Sequence, residues 1–340
     1  MRDDYSLRTQ QGLNTEIEIL KTDFDAKTAN STFVEKMDLI RDLSYKLYKV
    51  AKKNKIIEID FTQLKSLIKV ISTFENQNNV PITSSNSLDE ALAKSLFFSV
   101  VNFCFVDPIT NTNYTTKSPQ GEKKLSLALR YVFDRSNDWS EFEEVSRLKL
   151  STWQDMIQLG TDNHLYQAEK RFENLINLAK YLKINFKTIS EMRRYFTDAS
   201  MLFDYLDKSG LYEDRFKKRL QLLLREWDQH LKMFRQKGLK NISALTGMAD
   251  YRIPQFLISE NIVKVNNSDL VRLQSQTTFR EDDHFVLFMR AATILIISEI
   301  ALAVDMSEST VDAIIWKIAH EKNINSDGII PAMLVATDQF

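Results

Sequence analysis

The chain has 340 residues, enough at roughly 150 per domain for one large domain or two intimate ones, and too many for a disulfide-stapled mini-protein. Its 7 glycines are never spaced as GxGxxG or GxxxxGK, which excludes dinucleotide-binding and P-loop readings. Lys and Arg (45) balance Asp and Glu (46), so nothing in the overall charge draws it to a long nucleic acid; an anion would have to meet a local basic patch.

In chain order, residues 1–28 are polar and read as a loose or wrapping arm, and the start MRDDYSLRTQ lacks the apolar core of a signal peptide. Thr32 and Glu35 then form a capping box ahead of Met37, Ile40, Leu43, Leu47 and Val50, whose spacing predicts a helix. Similar boxes stand at Ser87/Glu90, Ser140/Glu143, Ser151/Gln154, Thr188/Glu191 and Ser309/Asp312. Short alternating runs at 56–61 and 262–265 read as small strands, and 76–86 and 107–121, rich in Asn, Thr, Ser and Pro, as loops. Amphipathic patterns predict long helices over 165–182 and 214–237, the latter with Gly238 as its stop. The stretch 285–304 is apolar enough for a membrane span, but Arg290 and Glu299 inside it point to a buried helix instead. With no repeat and no linker composition, the expectation is an all-α fold with one or two short strands: a single multi-helix domain over 29–340.

Residues for chemistry are sparse. The four histidines are scattered without HExxH or a Cys/His set, and no GxSxG elbow occurs, so no metal or cofactor is expected. The lone Cys104, between Phe103 and Phe105, reads as a small core residue in a reducing, cytoplasmic protein. One run stands out, Leu245 to Gln255 (LTGMADYRIPQ). Gly247 and Pro254 bracket its charged and aromatic residues, so it reads as a turn between helices that projects Asp250, Tyr251 and Arg252. Either these groups meet a ligand or Asp250 pairs with Arg252 or a neighbour.

This run resembles the LTxxADYRxPQ signature of the queuosine salvage protein family, the queuosine 5′-phosphate N-glycosylases. Other segments follow in the family's order: Asn102 to Phe105 is similar to LNFxFW, Leu127 to Arg130 to AALNRAL, and Lys218 to Gln221 to KRAQ. Arg290 resembles the arginine of EVEIR, and Asp312 to Lys317 occupies the place of DYxLWD. The resemblance spans roughly 90 to 322 and implies a helical fold related to helix-hairpin-helix DNA glycosylases. It implies hydrolysis of queuosine 5′-monophosphate to queuine and ribose 5-phosphate, a small-molecule partner with no long nucleic acid and no membrane, and no cofactor.

The sequence departs from the family at informative places. Lys317 stands where the family has the aspartate taken as nucleophile or transition-state stabiliser, Ala313 replaces a tyrosine, and Met248 an aromatic residue. Val286 and Phe288 replace the two glutamates of EVEIR, and no histidine precedes 164. An oxocarbenium-like transition state needs a carboxylate near C1′ and an activated water. A 7-deazapurine cannot be protonated at position 7, so its departure must be eased through its guanine-like edge.

The resemblance assigns base recognition to Asp250, with Met248, Tyr251, Arg252, Ala313 and Trp316 as further substrate contacts. Asp312 binds base or ribose, takes over from the missing aspartate, or only completes a capping box with Ser309. Lys218 and Arg219, beside Lys217, either meet the 5′-phosphate or are ordinary solvated charge. Three functions stay open: this hydrolase, a non-catalytic binder of queuine or a related nucleoside, and a glycosylase for another nucleotide.

Overall fold

Helices carry the fold, as the capping boxes predict. The structure is a computed structural model that describes residues 2–74, 85–104, 106–107, 112–113, 115–118, 121–124, 133, 139–158, 167–248, 252–321, 330–331 and 333–337. Among the described residues there are fourteen α-helices and eight strands of two to four residues.

The stretch read as an arm is α1 (Arg2–Thr28), which buries Leu13, Ile17 and Phe24 along one side, an apolar pattern too sparse to stand out in the sequence. It leads to α2 (Phe33–Lys53), opened by the expected box: Thr32 Oγ1 accepts from Glu35 N–H, and Thr32 N–H donates to Glu35 Oε2 at 2.8 Å. β1 (Ile57–Ile59) and α3 (Phe61–Ser72) follow, with Asp60 accepting from Thr62 and Gln63 N–H to cap α3.

Next come α4 (Leu88–Val101), β2 (Val106–Asp107), β3 (Thr112–Asn113), β4 (Thr115–Ser118) and β5 (Gly121–Lys124). Five helices succeed them: α5 (Phe142–Ser146), α6 (Leu150–Gln158), α7 (Ala168–Leu182), α8 (Ile189–Tyr195) and α9 (Ala199–Asp207). After α10 (Lys218–Met233) and a 3₁₀ turn at Ile242–Ala244, the chain closes with α11 (Arg252–Ser259), β6 (Val263–Val265), α12 (Asn267–Gln274), β7 (Phe279–Arg280), α13 (His284–Val304), α14 (Glu308–Glu321) and β8 (Val335–Ala336).

The chain divides into two compact units. One joins Met1–Asn76 to Ser243–Val335, and the other comprises Gln77–Ile242 with Ala336–Phe340. In the first, α13 packs on α2 and α2 on α1. Helix α13 is long and apolar enough to cross a membrane, yet 78% of that apolar window is buried, and Arg290 within it is 2% exposed. The two short alternating runs find each other as an antiparallel pair, Ile57 opposite Val265 and Ile59 opposite Val263. In the second unit, α4 is buried from Ala91 to Val101 and packs against α7 and α10.

Several local expectations need correction. Within the segment read as a loop over 107–121, the described residues pair as strands, β2 with β3 and β4 with β5, because threonine suits a strand as well as a turn; 108–111, 114 and 119–120 lie outside the described residues. Of the loop at 76–86, residues 75–84 lie outside the described residues. Ser140 does not cap α5: its carbonyl accepts from Ile189 N–H, and Glu143 pairs with Lys183 and Arg147. Ser151 lies inside α6 rather than ahead of it. Helix α10 starts at Lys218 and not near 214, because the Asp214 carboxylate accepts from Phe216 and Lys218 N–H outside the helix. It ends before Gly238, whose missing Cβ admits Asp228 instead: a Cβ there would lie 2.3 Å from Asp228 Oδ1.

Candidate functional site

The run from Leu245 to Met248 follows the 3₁₀ turn and is buried throughout. On one side it abuts α13, where a Cβ at Gly247 would lie 2.7 Å from Ile297 Cδ1, so only glycine lets the backbone come this close. On the other side α14 presents Glu308 and Asp312, one turn apart and therefore on one face. Gly247 N–H donates to Glu308 Oε2 at 3.1 Å, and Met248 N–H donates to Asp312 Oδ2 at 2.8 Å. Two consecutive backbone donors are thus held by two buried carboxylates.

The start of α14 explains this register. Ser307 Oγ accepts from Thr310 N–H and its carbonyl from Val311 N–H, so Ser307 is the cap and Ser309 is already helical. The box expected between Ser309 and Asp312 is corrected accordingly, and Asp312, 3% exposed, faces Met248. The second oxygen of Glu308 meets Arg41 Nε of α2 at 2.6 Å. Arg41 also donates through Nη2 to Ala244 O at 3.0 Å and pairs through Nη1 with Asp38. One arginine therefore holds both the start of the run and the carboxylate that holds its middle.

The other expected site residues of this unit fall as follows. Ala249, Asp250 and Tyr251 lie outside the described residues. Arg252 opens α11 and is half-buried, and Pro254 sits in that helix's first turn, where its missing N–H leaves no intrahelical bond unmade. Ala313 is buried. Trp316 is 40% exposed and stacks on His320 with centroids 5.2 Å apart. Lys317 is half-buried, its Nζ 3.7 Å from Glu321 Oε1 and 5.3 Å from the Phe74 ring centroid. At 100° per residue, Lys317 leaves α14 about 140° around the helix from Asp312. The cation and the turn-holding carboxylate therefore serve different faces.

In the other unit Lys218 and Arg219 are both buried. Arg219 donates to Val100 O (3.2 Å) and Leu211 O (2.9 Å), while Arg171 donates to Val101 O and to Cys104 O (2.9 Å). Their guanidinium carbons lie 5.4 and 4.1 Å from the centroid of Phe103, so two cations and one ring gather the carbonyls that α4 leaves at its C-terminus. Lys217 Nζ donates to Tyr212 O and pairs with Asp207, both at 2.8 Å. Tyr212 Oη lies 2.6 Å from Ser99 Oγ, and because Ser99 gives its own proton to Leu96 O, the phenol is the donor. Burial pushes that phenol up to about 12.

Sequence reasoning missed Glu308, Arg41 and Arg171. Glu308 was findable, since four residues from Asp312 on a helix means a shared face; Arg41 and Arg171 act on carbonyls far away in sequence and leave no local signal. Among the described residues no three His, Cys, Asp or Glu side chains are grouped to hold a metal ion.

A family model described as queuosine salvage protein matches residues 82–333, a range that contains the buried run, α14, Lys218 and Arg219. A comparison with curated proteins gives no match.

Proposed function

We propose that this chain, which belongs to the queuosine salvage protein family, hydrolyses the N-glycosidic bond of queuosine 5′-monophosphate. Its role lies in queuosine salvage. In the proposed reaction water adds to C1′ as the bond to the base breaks. The electron pair goes to the ring nitrogen of queuine, which takes up one proton of that water, and ribose 5-phosphate leaves with the new anomeric hydroxyl.

The observation that supports this reading is the double anchoring of the run that carries the family signature. Gly247 and Met248 are fixed by Glu308 and Asp312 immediately ahead of Asp250 in sequence. A carboxylate that must accept from the N1–H and 2-amino donors of a guanine-like edge, or pair with the ammonium of the queuine side chain, needs a backbone that is set in advance. Asp250 is assigned that recognition, with Tyr251, Arg252, Ala313 and Trp316 as further contacts. Asp312 is assigned to holding the turn, given its bond to Met248 N–H. The phosphate assignment of Lys218 and Arg219 carries no part of this reading, because Arg219 already gives both terminal nitrogens to carbonyls. The buried lone thiol of Cys104 suits the reducing cytoplasm in which we place the reaction.

Lys317 favours a second reading. A cation paired with Glu321, at the position where the family has its aspartate, suits a protein that binds queuine or its nucleotide without cleaving it. Mass spectrometry of the purified protein mixed with queuosine 5′-monophosphate separates the two. Free queuine and ribose 5-phosphate in equal amounts are expected; a ligand-induced thermal shift without products supports the binder, and neither signal removes both. If hydrolysis is slow, Lys317→Asp should raise it.

A further inference from the structure

We infer that Glu308 is a positioning residue for ligand recognition, acting through the Gly247 amide and tied to α2 by Arg41. This rests on the reading above, in which the run ahead of Asp250 presents the base-recognising acid.

Three observations converge on Glu308. Both of its oxygens are engaged, Oε2 by Gly247 N–H at 3.1 Å and Oε1 by Arg41 Nε at 2.6 Å. The same guanidinium donates to Ala244 O, so α2, the start of the run, its middle and α14 close into one ring of charge-assisted bonds. Behind the run, Ile297 leaves no space for the backbone to shift toward α13. A segment walled on one side and bonded on the other is fixed in place. Asp312 supplies a second bond one residue on, and Glu308 is linked through Arg41 to Ala244, where the run begins. Losing it removes two links of that ring, to Gly247 N–H and to Arg41 Nε, without touching the ligand.

Glu308→Gln isolates this role. The amide has nearly the same volume, but it has one accepting oxygen where the carboxylate has two, so it cannot satisfy Gly247 N–H and Arg41 together. A looser run lowers binding of ground state and transition state alike, which raises KM and leaves kcat nearly unchanged. The loss of one charge-assisted bond corresponds to a rise of roughly tenfold in KM for queuosine 5′-monophosphate. Arg41→Lys keeps a positive charge opposite Glu308 but loses the fork that reaches Ala244, and should move KM in the same direction by less.

The experiment is steady-state hydrolysis of queuosine 5′-monophosphate by wild type, Glu308→Gln and Arg41→Lys, with the unfolding midpoint of each ligand-free protein. KM raised with kcat preserved in either folded variant supports the inference. KM unchanged, or kcat falling in step with the midpoint, shows that Glu308 serves stability alone and overturns it. A wild type that neither binds nor cleaves the nucleotide overturns the functional reading and this inference together; an active wild type with unaltered variants overturns the inference alone. Should Glu308→Gln not fold, Arg41→Lys decides the matter by the same criteria.

Discussion

A methyl group at position 247 is the smallest change that tests the wall behind the buried run. It would meet Ile297 Cδ1 at 2.7 Å and the stiffer Cβ and Cγ2 at 3.1 and 3.2 Å, so rotating the isoleucine tip away relieves only part of the clash. Gly247→Ala should cost about 1–3 kcal/mol of stability. Ile297→Val removes Cδ1, and the double variant should be less destabilised than the two single changes summed. Strict additivity in denaturant titrations would mean the two residues do not press on each other. At this scale the sequence exposed the participants better than their partners. Gly247, Met248 and Asp312 stood out through the family signature and its C-terminal motif, but a side chain bonding a backbone amide 64 residues away leaves no trace in spacing. The partners of Arg219 were hidden for the same reason: its neighbours Lys217 and Lys218 advertised charge, while the carbonyls it serves, at 100 and 211, are invisible to composition.

Among the elements, helix starts show why one signature gave both correct and incorrect boundaries. A hydroxyl followed three residues later by Glu marked true caps at Thr32, Ser87 and Thr188. The same spacing, with Glu143, Gln154 or Asp312 in third place, misplaced those at Ser140, Ser151 and Ser309, where another backbone pairing or an earlier residue wins. The α14 start is the instructive case, since SESTVD offers two serines and the first one takes the cap. Ser307→Ala should lower stability by about 1 kcal/mol in urea titration. Ser151→Ala, at an exposed site inside α6, should leave stability unchanged or raise it slightly, because alanine is the better helix former. Equal losses at the two positions would restore the boundary first read from the sequence. The short strands followed the same logic. β1 and β6 announced themselves by alternation, whereas the segment over 107–121 lacked an apolar alternation and read as a loop.

For the molecule as a whole, the helical class was legible because capping boxes and a 3.6-residue period recur along the chain. The two units were not, because the polar run near 76 read as one more loop and the crossing near 242 carries no change of composition. One whole-molecule property follows from a single phenol. Tyr212 titrates near 10 in an unfolded chain and is pushed up to about 12 by burial, so the folded state keeps a proton that the unfolded state releases. Its contribution is complete below pH 10 and is lost as pH climbs toward 12, a drop on the order of 3 kcal/mol. Tyr212→Phe should flatten that alkaline decline in a plot of unfolding free energy against pH; an unchanged slope would assign it to other groups. The β1–β6 pairing has a different reach, into synthesis. The ribosome must add the whole of 77–242 after α2 emerges and before β6 and α13 exist to cover it. At cellular elongation speeds this delay is on the order of 10–30 s. Throughout it the face of α2 that packs on α13 waits uncovered. Nascent chains stalled inside that window should therefore cling to holdase chaperones, and release should follow once translation passes Val304.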